Sequence, residues 1–293
     1  MKIAIASGKG GTGKTFVSTN LFHVAYASGY PVTLIDCDAE APNSSQFIHA
    51  ETISTSYVYQ LIPTIDTDVC TFCGECYDAC HFNAIFYLPN RKEIRVMEEL
   101  CHSCGACSYV CKHGAVKEES KIVGNVKHLL YKNLAPFIEC TMNIGIASPV
   151  PTIKQAIAEC QSTDLVLLDS PPGISCPFIA TVETADFVVL VAEPTPFGLN
   201  DLRLSIETLQ QMTIPFGVVI NRDGMGNQEM ENWLHEQSIP ILLKIPFDIE
   251  IAHLYAEGKL VCETSELYRA KFVEMIESIY AYSQQEKPTL CKK

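Results

Sequence analysis

The sequence predicts an α/β protein: a doubly wound, mostly parallel sheet with a small α+β domain inserted into it. Three observations lead to this prediction. Short apolar runs alternate with helical patterns through most of the 293 residues, as in sheets covered by helices on both faces. A glycine-rich loop follows the first apolar run, at residues 8–15. Two runs of four cysteines interrupt the alternation between residues 70 and 111.

The candidate strands are continuous apolar runs, which suit strands that are buried on both faces. They are predicted at residues 2–6, 32–35, 165–168, 187–191, 217–220 and 241–245. A helix is predicted over residues 14–28, with Gly29 as its C-cap. A second helix is predicted to begin at Asn200, a favourable N-cap residue, and the last long helix to cover residues 265–282.

Composition and charge argue against several classes of protein. The formal net charge is −13 and there is no long basic run, so neither nucleic acid nor an anionic membrane is an expected partner. No stretch of about 20 apolar residues offers a membrane span. The N-terminal residues lead directly into the glycine loop without a signal segment. The fourteen cysteines therefore indicate a cytoplasmic, reducing environment in which thiols bind metal.

The two cysteine runs share the spacing C-x2-C-x2-C-x3-C, and each cysteine of the second lies 31 residues after its counterpart in the first. This spacing holds [4Fe-4S] clusters in bacterial two-cluster ferredoxins. The repeat extends further, since Ala84-Ile85 recurs as Ala115-Val116. The sequence thus predicts an inserted ferredoxin-like domain over residues 64–120, between residues 1–63 and 121–293 of the larger domain.

Each cluster is predicted to take its fourth ligand from the other run, because the fourth cysteine crosses over in two-cluster ferredoxins. The ligands of one cluster are then Cys70, Cys73, Cys76 and Cys111. Those of the other are Cys101, Cys104, Cys107 and Cys80. The alternative is a pair of structural zinc sites, although zinc does not require the third and fourth cysteines at these offsets. His81 and Lys112 stand where ferredoxins have proline, which predicts wetter clusters with shifted potentials.

The glycine-rich loop is a phosphate-binding motif that lies between a predicted strand and a predicted helix. In such loops, backbone N–H groups and a helix N-terminus converge on phosphate oxygens. Lys14 is predicted to neutralise the β- and γ-phosphates, and Thr15 to hold Mg²⁺. The residues predicted to contact the nucleotide are Gly8, Gly10, Gly11, Thr12, Gly13, Lys14 and Thr15.

The loop resembles the deviant Walker A motif of the MinD/ParA/Mrp superfamily, which includes the nitrogenase iron protein. In that family the extra lysine, here Lys9, reaches across a dimer to the partner's nucleotide. Residues 34–38 resemble the first switch of the family, in which the second aspartate, here Asp38, positions the attacking water. Residues 164–173 resemble the Walker B strand and second switch, with Asp169 near Mg²⁺ and the Gly173 amide near the γ-phosphate.

The resemblance implies an ATPase fold with ATP and Mg²⁺ as cofactors. Lys9, Lys14, Asp38 and Asp169 are the implied catalytic residues. The implied Mg²⁺ site consists of Thr15, Asp36 and Asp169, and Asn221 lies where the family recognises adenine. The guanine-binding N-K-x-D motif is absent, which favours ATP. The resemblance covers most of residues 1–60 and 121–293, and the subgroup with an inserted ferredoxin domain covers the entire chain.

Cysteines outside the two runs have simpler interpretations. Cys176 lies seven residues after Asp169, where the nitrogenase iron protein has a cluster ligand, but residues 145–149 lack the second cysteine of that site. One thiol per subunit supplies only half of the four ligands, so a bridging cluster is not expected. Cys291 is predicted to be a tail thiol. Four others are predicted to be small buried residues: Cys37, Cys140, Cys160 and Cys262.

Both cysteine runs lie between Asp38 and Asp169, the residues of the two switches. Three functions are compatible with this arrangement. The first is a dimeric ATPase, paired with itself or with a related ATPase, that gates electron transfer from its clusters to a redox protein. The second is an ATPase that assembles or delivers clusters to an apo iron–sulfur acceptor. The third is a redox-sensing positioning ATPase.

Overall fold

The computed structural model describes residues 1–161 and 163–284; Cys291 lies outside them. In the described chain, strands are β1 (Lys2–Ala6), β2 (Val32–Asp36), β3 (Ala50–Ile65), β4 (Ile85–Leu88), β5 (Glu93–Val96), β6 (Val116–Tyr131), β7 (Ala135–Met142), β8 (Leu165–Asp169), β9 (Phe187–Ala192), β10 (Phe216–Asp223) and β11 (Ile241–Pro246). Helices are α1 (Lys14–Ala27), α2 (Glu75–Asp78), α3 (Ala106–Val110), α4 (Val150–Ala158), α5 (Cys176–Val182), α6 (Pro196–Met212), α7 (Glu229–Glu236), α8 (Ile249–Ala256), α9 (Val261–Thr264) and α10 (Glu266–Gln284).

A nine-stranded sheet forms the centre of the molecule, in the order β11-β10-β9-β1-β8-β2-β7-β6-β3. The strands from β11 to β7 pair in parallel. The last two pairings, β7 with β6 and β6 with β3, are antiparallel. The predicted α/β class with a large, mostly parallel sheet is therefore confirmed.

Alternate side chains of the parallel strands enter two separate hydrophobic cores. Ile3 and Leu34 belong to the core under α1, α9 and α10, together with Phe22 and Phe272. Ala4 belongs to the opposite core, under α4, α5, α6 and α7. Burial on both faces explains why continuous apolar runs marked these strands in the sequence.

The elements agree with most of the sequence predictions and correct two of them. All six predicted strands and the predicted helices at residues 14–28 and 265–282 are present with ends shifted by no more than a few residues. Helix α6, however, begins at Pro196, and the Thr195 hydroxyl caps it by accepting a hydrogen bond from the Gly198 N–H at 3.0 Å. Asn200 is thus inside the helix, because proline favours the first helical position. Strands β3, β6 and β7 were not among the predicted strands.

Strands β3 and β6 continue past the carboxyl ends of the parallel strands. Strand β7 ends at Met142, opposite Gly124 of β6, so residues 116–122 pair only with residues 59–65. We call this two-stranded ribbon the arm. Its seven residue pairs span about 20 Å at the usual rise of a strand. A shift of register between Val58 and Tyr59 lies at its base.

The cysteine-rich segment, residues 66–115 at the end of the arm, has an internal two-fold repeat. The N–H of Asp66 donates to the Ala115 carbonyl at 2.8 Å, and the N–H of Met97 donates to the Ala84 carbonyl at 2.7 Å. The two donors, Asp66 and Met97, are 31 residues apart, and so are the two acceptors, Ala84 and Ala115. The pairing of β4 with β5 repeats the pairing at the end of the arm in the same way. The two halves therefore exchange equivalent bonds.

A small hydrophobic core lies inside the cysteine-rich segment and at the adjoining end of the arm. Its buried side chains are Cys76, Ile85, Ile94, Cys107 and Val116. So few residues bury little apolar surface, and bound metal commonly supplies the missing stability in segments of this size. Across the described residues, none of the helices has the length and apolar character needed to cross a membrane.

Candidate functional site

The phosphate loop connects β1 to α1 and depends on glycine at the start of the helix. Gly13 immediately precedes α1 with φ of 96°, in the left-handed region that favours glycine. A Cβ atom at this position would lie 2.3 Å from Nδ2 of Asn221. That amide donates to the Thr12 carbonyl at 2.7 Å. Asn221, on strand β10, is therefore hydrogen-bonded to the backbone of the phosphate loop. Asn221 is also the residue for which the family resemblance implies adenine recognition.

Lys14 is the first residue of α1 and is buried beneath the loop. Its Nζ donates to Oγ of Ser7 at 3.1 Å. Burial lowers the pKa of Lys14 below its usual value, although Asp169, Asp38 and Asp36 act in the opposite direction. A buried ammonium group facing three carboxyl groups is well placed to neutralise an incoming phosphate.

Lys9 lies on the exposed side of the loop. Its Nζ is 3.4 Å from Oε2 of Glu193, and Glu193 also forms an ion pair with Arg222. No sequence motif marks Glu193, although its position directly after β9 is at the rim where such sheets bind ligands. In this conformation Lys9 is held by its own subunit, with 32% of its side chain exposed.

The other predicted loop residues have varied surroundings. Gly8 packs closely, since a Cβ atom there would lie 2.5 Å from the Asp201 carbonyl oxygen. Gly11 has φ of 80° and faces open space, and Gly10 is also uncrowded. Gly173 has φ of 89°, and its N–H donates to the Ser7 carbonyl at 3.0 Å. The second switch is therefore hydrogen-bonded to the phosphate loop.

Asp36 and Asp169 lie opposite one another at the ends of the adjacent strands β2 and β8. The Asp36 carboxylate accepts backbone N–H bonds from Asp38 at 3.1 Å, Asn43 at 3.0 Å and Ser44 at 2.9 Å. The Ser44 hydroxyl donates to Oδ2 of Asp169 at 3.1 Å. Ser44 was not predicted, because no sequence motif marks it.

Burial perturbs all three aspartates of the rim. Burial, reinforced by the Asp169 carboxylate, raises the pKa of Asp36 from 3.8 to about 8. Burial also raises the pKa of Asp169 and that of the half-buried Asp38, the latter to about 6. Each shift favours the protonated form of its carboxyl group, because burial penalises the charged form.

The donor set at the rim fits a hard divalent cation. Within the described chain, the buried Oδ1 of Asp169 has no hydrogen-bond partner, and the same is true of Oγ1 of Thr12. Such groups are rare in folded proteins unless an ion or water satisfies them. Carboxylate and hydroxyl oxygens are the ligands that Mg²⁺ prefers, and Thr15 follows Lys14 at the start of α1.

The eight cysteines of the two runs line two separate cavities in the cysteine-rich segment. One cavity is lined by Cys70, Cys73, Cys76 and Cys111. The other is lined by Cys80, Cys101, Cys104 and Cys107. These are the two sets of four that the crossed pattern predicts, because the fourth cysteine of each run lies with the first three of the other.

The two cavities have equivalent walls. The N–H groups of Phe72 and Ser103 donate to the sulfurs of Cys70 and Cys101, each at 3.4 Å. Both donor residues have left-handed φ angles, 57° and 54°. Cys76 and Cys107, the third cysteines of the two runs, are buried. Cys73 and Cys104, the second cysteines, are exposed. One cysteine of each set is therefore exposed.

Local environment sets the protonation of these thiols. Burial raises the pKa of Cys76 to about 11 and also raises that of Cys101 and Cys107. At Cys111 burial acts in the same direction, but the backbone N–H groups of residues 113–116 outweigh it and lower the pKa. Metal ligation requires thiolate, so a bound metal must displace protons from the buried members.

The remaining described cysteines differ in burial. Cys37, Cys140 and Cys262 are buried as expected, but Cys160 is only half-buried, because it lies after the end of α4. Its sulfur donates to the Gln161 carbonyl at 3.3 Å. Cys176 is exposed at the start of α5.

The phosphate loop at the centre of a parallel sheet defines this chain as a P-loop nucleotide-binding α/β protein. The family model of the CobQ/CobB/MinD/ParA nucleotide binding domain matches residues 3–261. The chain belongs to this family, which confirms the resemblance to the MinD/ParA/Mrp superfamily.

Relatives of known sequence match nearly the whole chain. An uncharacterized protein of Methanocaldococcus jannaschii is 31% identical over 285 residues, which are 96% of this chain and 95% of that protein. The iron-sulfur cluster carrier protein of Pyrococcus horikoshii is 21% identical over 95% of this chain and 85% of its own length.

Solved structures show the same fold. The cell division ATPase MinD of Pyrococcus furiosus superposes with a TM-score of 0.58 at 19% identity, covering 96% of this chain and 98% of its own. The septum site-determining protein MinD of Pyrococcus horikoshii, complexed with Mg-ADP, gives a TM-score of 0.57 at 19% identity, with 95% of each chain covered. At this level of identity the likeness concerns the fold alone.

Proposed function

We propose that this protein is an ATP-hydrolysing switch that carries two [4Fe-4S] clusters and couples its nucleotide state to electron transfer toward a redox partner. One observation carries the proposal: two cavities, each lined by four cysteines, lie at the end of an arm that starts from the nucleotide-binding rim. A single chain thus holds both complete thiol sets and the phosphate loop.

The nucleotide half of the proposal assigns roles to the residues of the rim. The N–H groups of the loop and the Lys14 ammonium bind the phosphates, and Thr15, Asp36 and Asp169 hold Mg²⁺ beside them. Asp38 is the only one of the three aspartates that is not fully buried, so it can reach and orient water. Positioning and charge neutralisation supply most of the rate in phosphoryl transfer.

Lys9 supports a dimeric arrangement in this proposal. Its partly exposed side chain forms an ion pair with Glu193 at the open side of the loop. A second copy or a related ATPase that presents a nucleotide there offers Lys9 a more strongly charged partner than one carboxylate. Exchange of one ion pair for another accompanies dimer formation.

The cysteine cavities fit clusters better than single ions. Four cysteines of the chain line each cavity, and a [4Fe-4S] cubane takes four cysteine thiolates. A structural zinc ion also binds four thiolates, but it does not require the third and fourth cysteines at these spacings. A bound cluster supplies reversible one-electron transfer at each cavity.

The test is an anaerobic preparation of the full chain, analysed for iron, acid-labile sulfide and ATP hydrolysis. We expect about eight irons and eight sulfides per chain, as two cubanes require, and hydrolysis that Asp38→Asn abolishes without loss of iron. Zinc in place of iron would contradict the cluster assignment. Hydrolysis unaffected by Asp38→Asn would contradict the catalytic assignment.

A second candidate function is delivery of clusters to an apoprotein. The relatives named as iron-sulfur cluster carrier proteins favour it, as does the exposure of Cys73 and Cys104. Internal ligation by four cysteines of the same chain favours retention instead. Incubating the iron-loaded protein with an excess of an apo-ferredoxin, with and without ATP, separates the two: the electron-transfer proposal expects iron to stay bound.

A further inference from the structure

We infer that Asn143 is a positioning residue that joins the loop holding Asp38 to the base of the arm. The inference rests on the proposed function and adds the physical connection between nucleotide state and the clusters. It comes from a continuous series of hydrogen bonds, which runs from the first switch through the end of β7 into β6.

The first part of the connection lies at the end of β7. The N–H of Met142 donates to the Ala39 carbonyl at 2.9 Å. Ala39 follows Asp38, and the N–H of Asp38 is itself bonded to the Asp36 carboxylate at 3.1 Å. The backbone of the first switch is therefore tied both to the cation-binding carboxylate and to β7.

The second part is made by the next residue. The N–H of Asn143 donates to the Val123 carbonyl at 2.9 Å. Its side-chain amide donates to the Ile122 carbonyl, also at 2.9 Å. Ile122 lies opposite Tyr59, where the register shifts and the arm leaves the sheet. One residue thus holds two successive carbonyls at the base of the arm.

A different set of contacts holds the base of the arm from the side. Gln155 of α4 donates to the Tyr57 carbonyl at 3.3 Å. Glu159 accepts from Ser56 at 2.8 Å and lies 2.7 Å from Nε2 of His128. Among the hydrogen bonds of the described chain, none joins α4 to the loop at residues 38–41. The contacts from α4 and Glu159 hold the part of β3 and β6 next to the arm, whereas Asn143 connects the base of the arm to the switch.

The geometry has a mechanical consequence. When the nucleotide state displaces the loop at Asp38, Met142 follows through its bond to Ala39, and Asn143 moves with Met142. The two bonds from Asn143 then pull on Ile122 and Val123, at the point where the ribbon is already irregular. Because the arm is a paired ribbon, a small rotation at its base becomes a larger displacement at the cysteine-rich segment.

The experiment compares Asn143→Ala with Gln155→Ala in the iron-loaded full chain. Each variant removes one side-chain amide bond to a backbone carbonyl at or next to the base of the arm. Only the bond of Asn143 belongs to the series that leads from the switch through Met142, whose own bond to Ala39 both variants keep. Amide hydrogen exchange of residues 116–122 is measured with Mg²⁺ alone and with Mg²⁺ and a non-hydrolysable ATP analogue. Loss of one such bond changes an opening equilibrium by roughly threefold to tenfold.

In the wild-type chain we expect the analogue to change exchange in the arm at least about threefold. Asn143→Ala is expected to lose most of that response while keeping its iron and its affinity for the analogue, and Gln155→Ala is expected to keep the response. Asn143→Asp, which cannot donate, should behave like the alanine variant.

The possible outcomes distinguish a failure of the proposed function from a failure of the role assigned to Asn143. A wild-type chain that fails to bind iron or the analogue contradicts the proposed function itself. If iron and analogue both bind but the arm does not respond in the wild-type chain, or if it responds equally in Asn143→Ala, the role of Asn143 is refuted. Equal loss in Asn143→Ala and Gln155→Ala also refutes it, because the arm would then merely be loosened.

Discussion

Replacement of Asp36 by asparagine should make the nucleotide-free protein progressively more stable than the wild type as pH rises. Burial and the adjacent Asp169 raise the pKa of Asp36 from 3.8 to about 8. Between these values the folded protein keeps a proton that the unfolded chain has released. Folding therefore binds a proton, and wild-type stability falls as pH rises through this window.

The size of the effect follows from the shift. One extra proton bound by the folded state corresponds to a loss of about 1.4 kcal/mol per pH unit. Between pH 5 and pH 7, Asp36→Asn should gain about 3 kcal/mol relative to wild type by this linkage. Asparagine resembles the protonated acid in shape, but its single oxygen can accept on only one of the two sides where Asp36 accepts N–H bonds. That cost does not change with pH, so the pH dependence of the stability difference isolates the titration of Asp36.

The assay is urea unfolding of the iron-loaded proteins at pH 5, 6 and 7, without Mg²⁺ or nucleotide and without air. Trp233, the one tryptophan of the chain, lies against the core beneath α6 and α7 and reports unfolding of the nucleotide-binding domain. Asp186→Asn is the control, because it changes an exposed carboxylate that also accepts a backbone N–H bond. A stability difference for Asp36→Asn that stays constant with pH refutes the reasoning.

Three further predictions concern the same two sites. Binding of Mg²⁺ and ADP at pH 7 should release protons, because the cation displaces the proton held at Asp36; calorimetric heats that do not depend on the ionisation enthalpy of the buffer would contradict this. Gly13→Ala should lower the free energy of unfolding by about 1–2 kcal/mol or more, because Gly13 has a left-handed backbone and a Cβ atom there would be crowded. Gly10→Ala should cost much less in the same denaturation assay, because a Cβ atom at Gly10 would lie 3.9 Å from its nearest neighbour, Pro172. Cys111→Ala should lose the cluster bound by Cys70, Cys73 and Cys76, and Cys80→Ala should lose the cluster bound by Cys101, Cys104 and Cys107. Each variant should keep half of the iron. If either variant instead loses the cluster held by the other three cysteines of its own run, crossed ligation is excluded.

Six of the seven parallel strands of the central sheet, all except β7, were predictable from sequence because they are covered on both faces. Such strands are continuous apolar runs, and each predicted run became a strand with nearly the same ends. Strands β3 and β6 escaped prediction because a large part of each is exposed and their sequences mix polar and apolar residues. One-sided antiparallel strands lack the continuous apolar signal.

The sites were predictable to the extent that local motifs encode them. The phosphate loop and the cysteine runs are local motifs with fixed spacing, and the structure brings their members together around common spaces. Glu193 and Ser44 could not be assigned in this way, since each meets its partner only after distant strands align. The assignment of Asn221 to adenine stays a prediction, whereas the contact of its amide with the backbone of the phosphate loop joins residues far apart in the sequence and was not predicted.

The most direct test of the account is electron paramagnetic resonance of the anaerobically reduced protein, recorded with and without Mg²⁺ and ATP. Two interacting cubane signals that change in shape or potential when ATP is added are the predicted result. Spectra identical in both conditions, from protein that is shown to bind ATP, would contradict the claim that nucleotide state reaches the clusters through the arm.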